Sequence, residues 1–162
     1  MKNPLVVGVA VGVAVIALLV AGAFYVQRGA HIELTGQVLK VRTAPVDEHS
    51  SMAVVDFRFT NPADYAFVVR SVTVVLEDKG GKETEGSTIA EDDTQLVFDS
   101  LPLLGHKFNR SLIARDKIKP HDTDDRMVAA RFEIPHDAME ARKRFVLRIE
   151  EVDGAVSEIG ER

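Results

Sequence analysis

The chain contains no cysteine and no tryptophan. Without cysteine, the sequence excludes disulfide scaffolds, thiol catalysis and cysteine metal sites. The recognised catalytic motifs are also missing: Gly-x-Ser-x-Gly, His-Glu-x-x-His, the Walker loop and the dinucleotide fingerprint do not occur. The histidines are scattered at positions 31, 49, 106, 121 and 136. These absences predict that the protein is not an enzyme and needs no cofactor.

An excess of positive charge is also lacking, because the formal net charge is −5. Residues 1–28 carry only Lys2 and Arg28, so the remaining 18 basic and 25 acidic side chains give −7 for the rest of the chain. Binding to nucleic acid without sequence preference depends on neutralising phosphates. The acidic remainder therefore predicts no nucleic-acid partner.

Residues 5–26 contain no charged side chain and no side-chain amide. At about 1.5 Å per residue, a helix of this length reaches about 33 Å, which exceeds the roughly 30 Å of a hydrocarbon core. The sequence therefore predicts a transmembrane anchor over 1–28, in contact with the lipid bilayer through 5–26. The remaining 134 residues, 29–162, fit one soluble domain.

Two interpretations of the anchor remain open. A cleaved signal peptide would use Lys2 as its basic start and Ala21-Gly22-Ala23 as its cleavage site. Against cleavage, the apolar run continues through Phe24 and Tyr25, which occupy the place of interfacial aromatic residues. The positive-inside rule favours a cytoplasmic N-terminus, so we expect a single-pass protein whose domain lies on the extracytoplasmic side.

Small residues recur along the anchor in patterns that favour helix packing in lipid. Two helix faces carry them: Gly8 and Gly12 on one, and Ala10, Ala14, Ala17 and Ala21 on the other. They suggest a weak homodimer through the anchor. The alternative is that such anchors are simply rich in alanine, glycine and valine.

Alternating apolar and polar residues recur along 29–162, as in half-buried strands. The clearest alternations place apolar residues at Ala53, Val55, Phe57 and Phe59, and again at Phe145, Leu147 and Ile149. Turn signals occur at Asn61-Pro62, at 79–82 and at Asp153-Gly154. About seven short strands with such turns predict a mainly β fold, an antiparallel immunoglobulin-like sandwich preceded by a single transmembrane helix.

Local patterns predict the elements between these strands. A first strand is expected over 32–38 with a bulge at Gly36, followed by a polar loop over 43–51. One short helix insert is expected over 88–101, because Thr88 and Glu91 have the spacing of a capping box. A further turn of helix is expected over 137–143.

The order of these segments resembles a known family. The stretch FRFTNPADYAFVVRSVTVVLED, a glycine-containing tip and the stretch KIKPHDTDDRMVAARFEIP together cover roughly 31–152. They are similar to the water-stress and hypersensitive-response type of late-embryogenesis-abundant domain, and to bacterial membrane-attached domains of unknown function. The shared features are Asn61-Pro62, Pro120 and the Phe132 to Pro135 strand end. The resemblance implies a binding or protective module without catalytic residues.

The densest polar cluster lies at 121–125, with the sequence His-Asp-Thr-Asp-Asp. Imidazole and carboxylate groups are metal ligands, and a metal-dependent hydrolase is the function this cluster would allow. However, the ligand pattern and glycine turn of a calcium loop are missing, and a tight turn before a strand also favours Asp and Thr. We therefore expect a solvated turn and no metal site.

A basic group stands out against the acidic domain: His106, Lys107, Arg110, Arg115, Lys117 and Lys119. Apolar residues lie beside it, and apolar residues rimmed by charge are typical of recognition surfaces. The candidate partner surface therefore comprises Leu103, Leu104, Phe108, Lys107 and Arg110. The alternatives are ordinary interspersed surface charge and packing of the apolar residues into the core.

These observations favour a membrane-anchored envelope protein whose β-sandwich is a non-catalytic interaction or scaffold module with an unknown protein partner. An alternative function is a carrier or sensor of a small apolar or lipidic ligand bound between the sheets. That alternative predicts a cavity open to solvent.

Overall fold

The structure is a computed structural model and describes residues 12–22 and 33–161. The chain divides into two units, Met1–His31 and Ile32–Arg162. In the first unit, residues 12–22 form helix α1 with exposed side chains. The anchor predicted over 5–26 extends beyond the described residues at both ends, and Gly8 and Ala10 lie outside them. Within the parts of the chain that are described, the helices fall short of the length and apolar character that a bilayer crossing requires.

The second unit is built from eight strands joined in antiparallel pairs. They are β1 (Thr35–Pro45), β2 (Ser51–Thr60), β3 (Phe67–Glu77), β4 (Glu83–Thr88), β5 (Lys117–Ile118), β6 (Thr123–Phe132), β7 (Arg144–Glu151) and β8 (Val156–Gly160). Their order is β1-β2-β6-β4-β3-β7-β8, and β5 pairs with β3. This mainly β, antiparallel architecture agrees with the predicted sandwich.

Strand β4 connects the two halves of this order. Its first part pairs with the end of β3, from Val74 to Glu77, whereas its last two residues, Ser87 and Thr88, pair with β6. The strand therefore leaves β3 partway along and crosses to the other half. Because Phe67 and Val68 of β3 pair with β5, this crossing leaves a gap in the strand pairing between Val68 and Val74.

One hydrophobic core lies between the two halves. Strands β2 and β6 contribute Ala53, Val55, Phe57, Phe59, Val128, Ala130 and Phe132, and strands β3 and β7 contribute Val69, Val74, Leu76, Phe145, Leu147 and Ile149. Alternate residues of a strand face the same side, which is why the period-2 patterns of β2 and β7 correctly identified the core residues of these two strands.

A second apolar cluster covers the outer face of β1, β2 and β6. Helix α2 (Glu91–Ser100) and a 3-10 turn (Pro102–Leu104) supply its cover. The members of the cluster are Ala44, Met52, Val54, Phe98, Leu104, Met127 and Ala129. Strand β2 is consequently buried on both faces, and the expectation of a half-buried strand was wrong for β2.

The helix insert forms, but its start differs from the prediction. Thr88 is the last residue of β4, and its hydroxyl donates to the carbonyl of Val72 instead of capping a helix. The N-cap residue is Ala90, without a side-chain hydrogen bond. Helix α2 buries Thr94 and Phe98, whereas Leu96 is 66% exposed.

Strand β1 also differs from the prediction. It begins at Thr35 and continues to Pro45, into the segment that we expected to be a polar loop. Its irregularity lies between Val38 and Lys40 and not at Gly36. The second short helix, α3, covers His136–Glu140. The turns predicted at 79–82 and at Asp153-Gly154 do join β3 to β4 and β7 to β8.

Candidate functional site

A buried ion pair lies beneath the 3-10 turn. Asp56 of β2 pairs in register with Lys40, and Arg42 lies two residues further along β1 on the same outer face. The guanidinium of Arg42 donates to Asp56 Oδ2 from Nε at 3.0 Å and from Nη2 at 2.8 Å. Asn109 donates to the other carboxylate oxygen at 3.2 Å. Both charged side chains are almost fully buried, so this pair must satisfy its hydrogen bonds internally.

The same guanidinium holds the loop that follows α2. Its Nη1 donates to the carbonyl oxygens of Leu104 at 2.6 Å and His106 at 2.7 Å. These carbonyls belong to the last residue of the 3-10 turn and to the segment that leads from it to Phe108. Arg42 therefore fixes the path of that segment against the outer face of β1 and β2.

Two aromatic rings flank the guanidinium. The carbon Cζ of Arg42 lies 5.0 Å from the ring centroid of Phe98 and 5.4 Å from that of Phe108, within the range of cation–π attraction. Phe98 is buried, but Phe108 remains 68% exposed. Arg42 thus orients an aromatic ring that still presents most of its surface to solvent.

The structure separates the predicted partner residues into two groups. Leu103 and Phe108 are strongly exposed, at 75% and 68%. Leu104 is fully buried in the second apolar cluster, because the 3-10 turn directs consecutive side chains to different sides, and it is not part of an exposed surface. We call the exposed pair Leu103 and Phe108 the Phe108 platform.

The two predicted cations lie in different surroundings. Lys107 donates to Glu91 Oε1 at 2.7 Å, and Glu91 Oε2 accepts the backbone N–H of Ser111 at 2.9 Å. Partial burial favours the neutral acid, but the hydrogen bonds from Lys107 and Ser111 outweigh it and lower the pKa of Glu91. Arg110, by contrast, is exposed and makes no ion pair within the described part of the chain.

The polar cluster at 121–125 is spread over separate partners. His121 lies 2.9 Å from Asp64, Asp124 accepts from Arg126 at 2.7 Å, and Asp125 accepts from Arg58 at 2.6 and 2.8 Å. The bonds from Arg58 lower the pKa of Asp125. Each of these side chains is engaged in a different surface pair. Among residues 12–22 and 33–161, no three histidine or acidic side chains are grouped as metal ligands would be.

An open groove lies where β4 leaves β3. Its volume is about 670 Å³, and it runs between residues 70–72 of β3, the start of α2 and residues 110–114. Val72, Ile89, Leu112 and Ile113 supply apolar surface, and Arg70 and Arg110 lie at its border. A second, smaller cleft of about 290 Å³ separates α2 from residues 105–107.

Sequence reasoning missed both the Arg42–Asp56 pair and the groove. Asp56 interrupts an otherwise apolar stretch, Ala53 to Phe57, and that interruption is the signal for a buried charge. Taken alone, it also fits the solvent face of a strand. The groove depends on the crossing of β4, which no local pattern shows.

No protein-family model matches the chain, and no curated protein matches it. One solved structure that it resembles is an uncharacterized β-sandwich protein from Clostridium difficile 630. The identity is 14%, the match covers 82% of this chain and 87% of that one, and the TM-score is 0.35.

Proposed function

We propose that this chain is a single-pass membrane protein whose extracytoplasmic β-sandwich binds a protein partner through the Phe108 platform and catalyses no reaction. The observation that carries the proposal is the exposed ring of Phe108, held at 5.4 Å from the buried guanidinium of Arg42. The uncharged run over 5–26 supports the membrane attachment.

The fixed orientation of Phe108 suits it to binding. Aromatic anchors dominate the energetics of many interfaces, and ordering a side chain on binding costs conformational entropy. Here the ring already packs against Arg42, which is itself bonded to Asp56 and to two backbone carbonyls. Much of the conformational entropy of the Phe108 side chain is therefore already lost in the unbound protein, and binding a partner costs correspondingly less.

Of the two cations predicted for the partner surface, Lys107 contributes less than the sequence suggested, and Arg110 lines the groove beside β3. Lys107 is neutralised by Glu91, so it offers a partner little net charge. Leu103, in contrast, adds apolar surface next to the aromatic ring. The proposed contact is accordingly apolar and aromatic.

The resemblance to late-embryogenesis-abundant domains is compatible with this function, since it implies a binding or protective module.

The proposal includes neither a metal nor a hydrolytic step, because the sequence offers no recognised catalytic spacing. The second candidate function, binding of a small apolar or lipidic ligand, is favoured by one specific observation, the groove beside β3.

Chemical cross-linking in intact membranes, followed by purification of the chain, tests the proposal. We expect Leu103→Ser with Phe108→Ser to abolish cross-linked species that the native chain forms. Val152→Ser is the matched control, since Val152 is an exposed apolar residue in the turn between β7 and β8. An unchanged set of cross-linked species in the double variant would eliminate the Phe108 platform as the partner surface.

A further inference from the structure

We infer that the groove beside β3 binds the alkyl chain of a single-chain anionic amphiphile, such as a fatty acid, with its headgroup at Arg110. This inference rests on the second candidate function and names its ligand class, and it is independent of the proposed partner at the Phe108 platform. It concerns a different surface, formed by residues 70–72, 88–92, 110 and 112–114.

The shape of the groove favours a small ligand. Its volume of about 670 Å³ lies within the range of roughly 300–1,000 Å³ that is usual for small-molecule sites. The apolar side chains of Val72, Ile89 and Ile113 line it, and Ala114 leaves space at its surface. A diacyl lipid would have two alkyl chains to bury, whereas this groove provides a single apolar surface between residues 70–72 and residues 110–114. The groove therefore favours a ligand with one alkyl chain.

The backbone of the walls favours an alkyl chain over an extended peptide. A peptide that adds to a sheet edge gains its affinity from free main-chain groups. On the β3 side of the groove, the carbonyl of Val72 already accepts from the hydroxyl of Thr88, and Val69, which lies just before the groove lining, is bonded through both its N–H and its C=O. On the opposite wall, the N–H of Ser111 donates to Glu91 and that of Ile113 donates to Asp116. An alkyl chain needs none of these groups.

The charges at the border favour an anionic headgroup. Arg70 lies 3.1 Å from Glu150, and Glu91 is held by Lys107, so these four charges compensate one another. Asp92 lies in the first turn of α2, where the helix dipole offsets a negative charge. Arg110 is the cation of this border that lacks an ion pair among the described residues. A carboxylate would give it a charge-assisted hydrogen bond.

The test uses the full chain in nanodiscs of neutral phosphatidylcholine, with two photoreactive probes: a diazirine analogue of palmitate and the corresponding alcohol. Labelled peptides are located by mass spectrometry. We expect both probes to label peptides that contain residues 70–72 and 110–114. The palmitate analogue should label them at a lower probe concentration than the alcohol.

Three variants separate the apolar and ionic contributions. Arg110→Gln should lower labelling by the palmitate analogue about tenfold, as expected for a lost charge-assisted bond, and leave labelling by the alcohol unchanged. Ala114→Trp should fill the groove and abolish labelling by both probes. Arg115→Gln, at an exposed arginine outside the groove lining, should label like the native chain.

Melting temperatures of the variants confirm that each one is folded. Labelling spread evenly over the surface, or equal effects of Arg110→Gln and Arg115→Gln, would overturn the inference. So would displacement of the palmitate analogue by extended peptides but not by excess palmitate, which would assign the groove to a peptide.

Discussion

Arg42 and Asp56 are removed from water together, and each depends on the other for its charge balance. Transfer of such ions into a protein interior costs several kcal/mol per ion, and only close geometry with complete hydrogen bonding offsets this cost. Arg42 uses three of its nitrogens, bonding one carboxylate oxygen and two carbonyls. The pair is therefore most sensitive to the loss of one partner.

Asp56→Ala should destabilise the chain by about 3–5 kcal/mol, because it leaves a buried guanidinium without its counter-ion. Urea unfolding of the purified chain, followed by circular dichroism, measures this change. Asp125→Ala is the matched control: it breaks the exposed pair with Arg58 and should cost less than about 1 kcal/mol. Replacing both partners, Arg42→Met with Asp56→Leu, should recover most of the stability. Equal losses for Asp56→Ala and Asp125→Ala would contradict this assignment.

The same residues show how far the sequence alone can lead. Asp56 lies between Val55 and Phe57, whose side chains face the main core. The alternation of the strand therefore correctly predicts that the side chain of Asp56 faces the opposite side. Whether that outer face meets solvent depends on a helix some 35 residues further along the chain. The local alternation of residues carries no information on a helix that is distant in sequence and covers this face. For this reason the sequence analysis placed Leu104 at the surface and did not recognise Asp56 as a buried charge.

Among the elements, strands were predicted better than helices. An alternation of period 2 in β2 and β7 reports which face is buried, and turns with glycine are strong local signals. Helix α2 is short and has mixed polarity, and its N-cap has no side-chain bond. Thr88 and Glu91 fitted a capping box by spacing, yet each side chain forms a different tertiary contact.

The pairing of β3 with β7 ends in an ionic clamp that predicts a pH dependence. Glu77 accepts hydrogen bonds from Lys143 Nζ and Arg144 Nε, both at 2.6 Å. The bond from Lys143, followed by that from Arg144, lowers the pKa of Glu77 below its ordinary value of 4.5. A carboxyl whose folded pKa is depressed stabilises the fold above its unfolded pKa. This contribution is lost as the pH falls through the folded pKa.

Glu77→Gln should therefore lower the melting temperature near neutral pH and make it less sensitive to acid. Melting curves between about pH 7 and pH 3 should show the difference between the native chain and the variant shrinking as the pH falls. Glu48→Gln is the control, because Glu48 is exposed and has no ion pair among the described residues. A difference that stays constant across this pH range would show that Glu77 acts by packing and not by charge.

At the scale of the whole molecule, the crossing of β4 from β3 to β6 determines where the groove beside β3 lies. The first part of β4 pairs with β3 and its last two residues pair with β6, and the groove opens between residues 70–72 of β3 and the start of α2, which follows β4. Strand order is a property of distant pairings, and the sequence predicted the fold class without predicting this order. Between the two halves, where the alternative function would place its ligand, the core contains phenylalanine and leucine side chains of β2, β3, β6 and β7.

Membrane attachment is the whole-molecule property that the uncharged run over 5–26 predicts. We expect the native chain to stay in the membrane pellet after carbonate extraction. Leu18→Arg with Leu19→Arg should release it, since each arginine near the centre of a span costs roughly 2.5–3.5 kcal/mol on insertion scales. The control, Leu18→Ala with Leu19→Ala, removes bulk without adding charge and should remain in the pellet. Release of the native chain by carbonate would contradict the anchor, and a mature N-terminus near Phe24 would identify a cleaved leader and an exported domain.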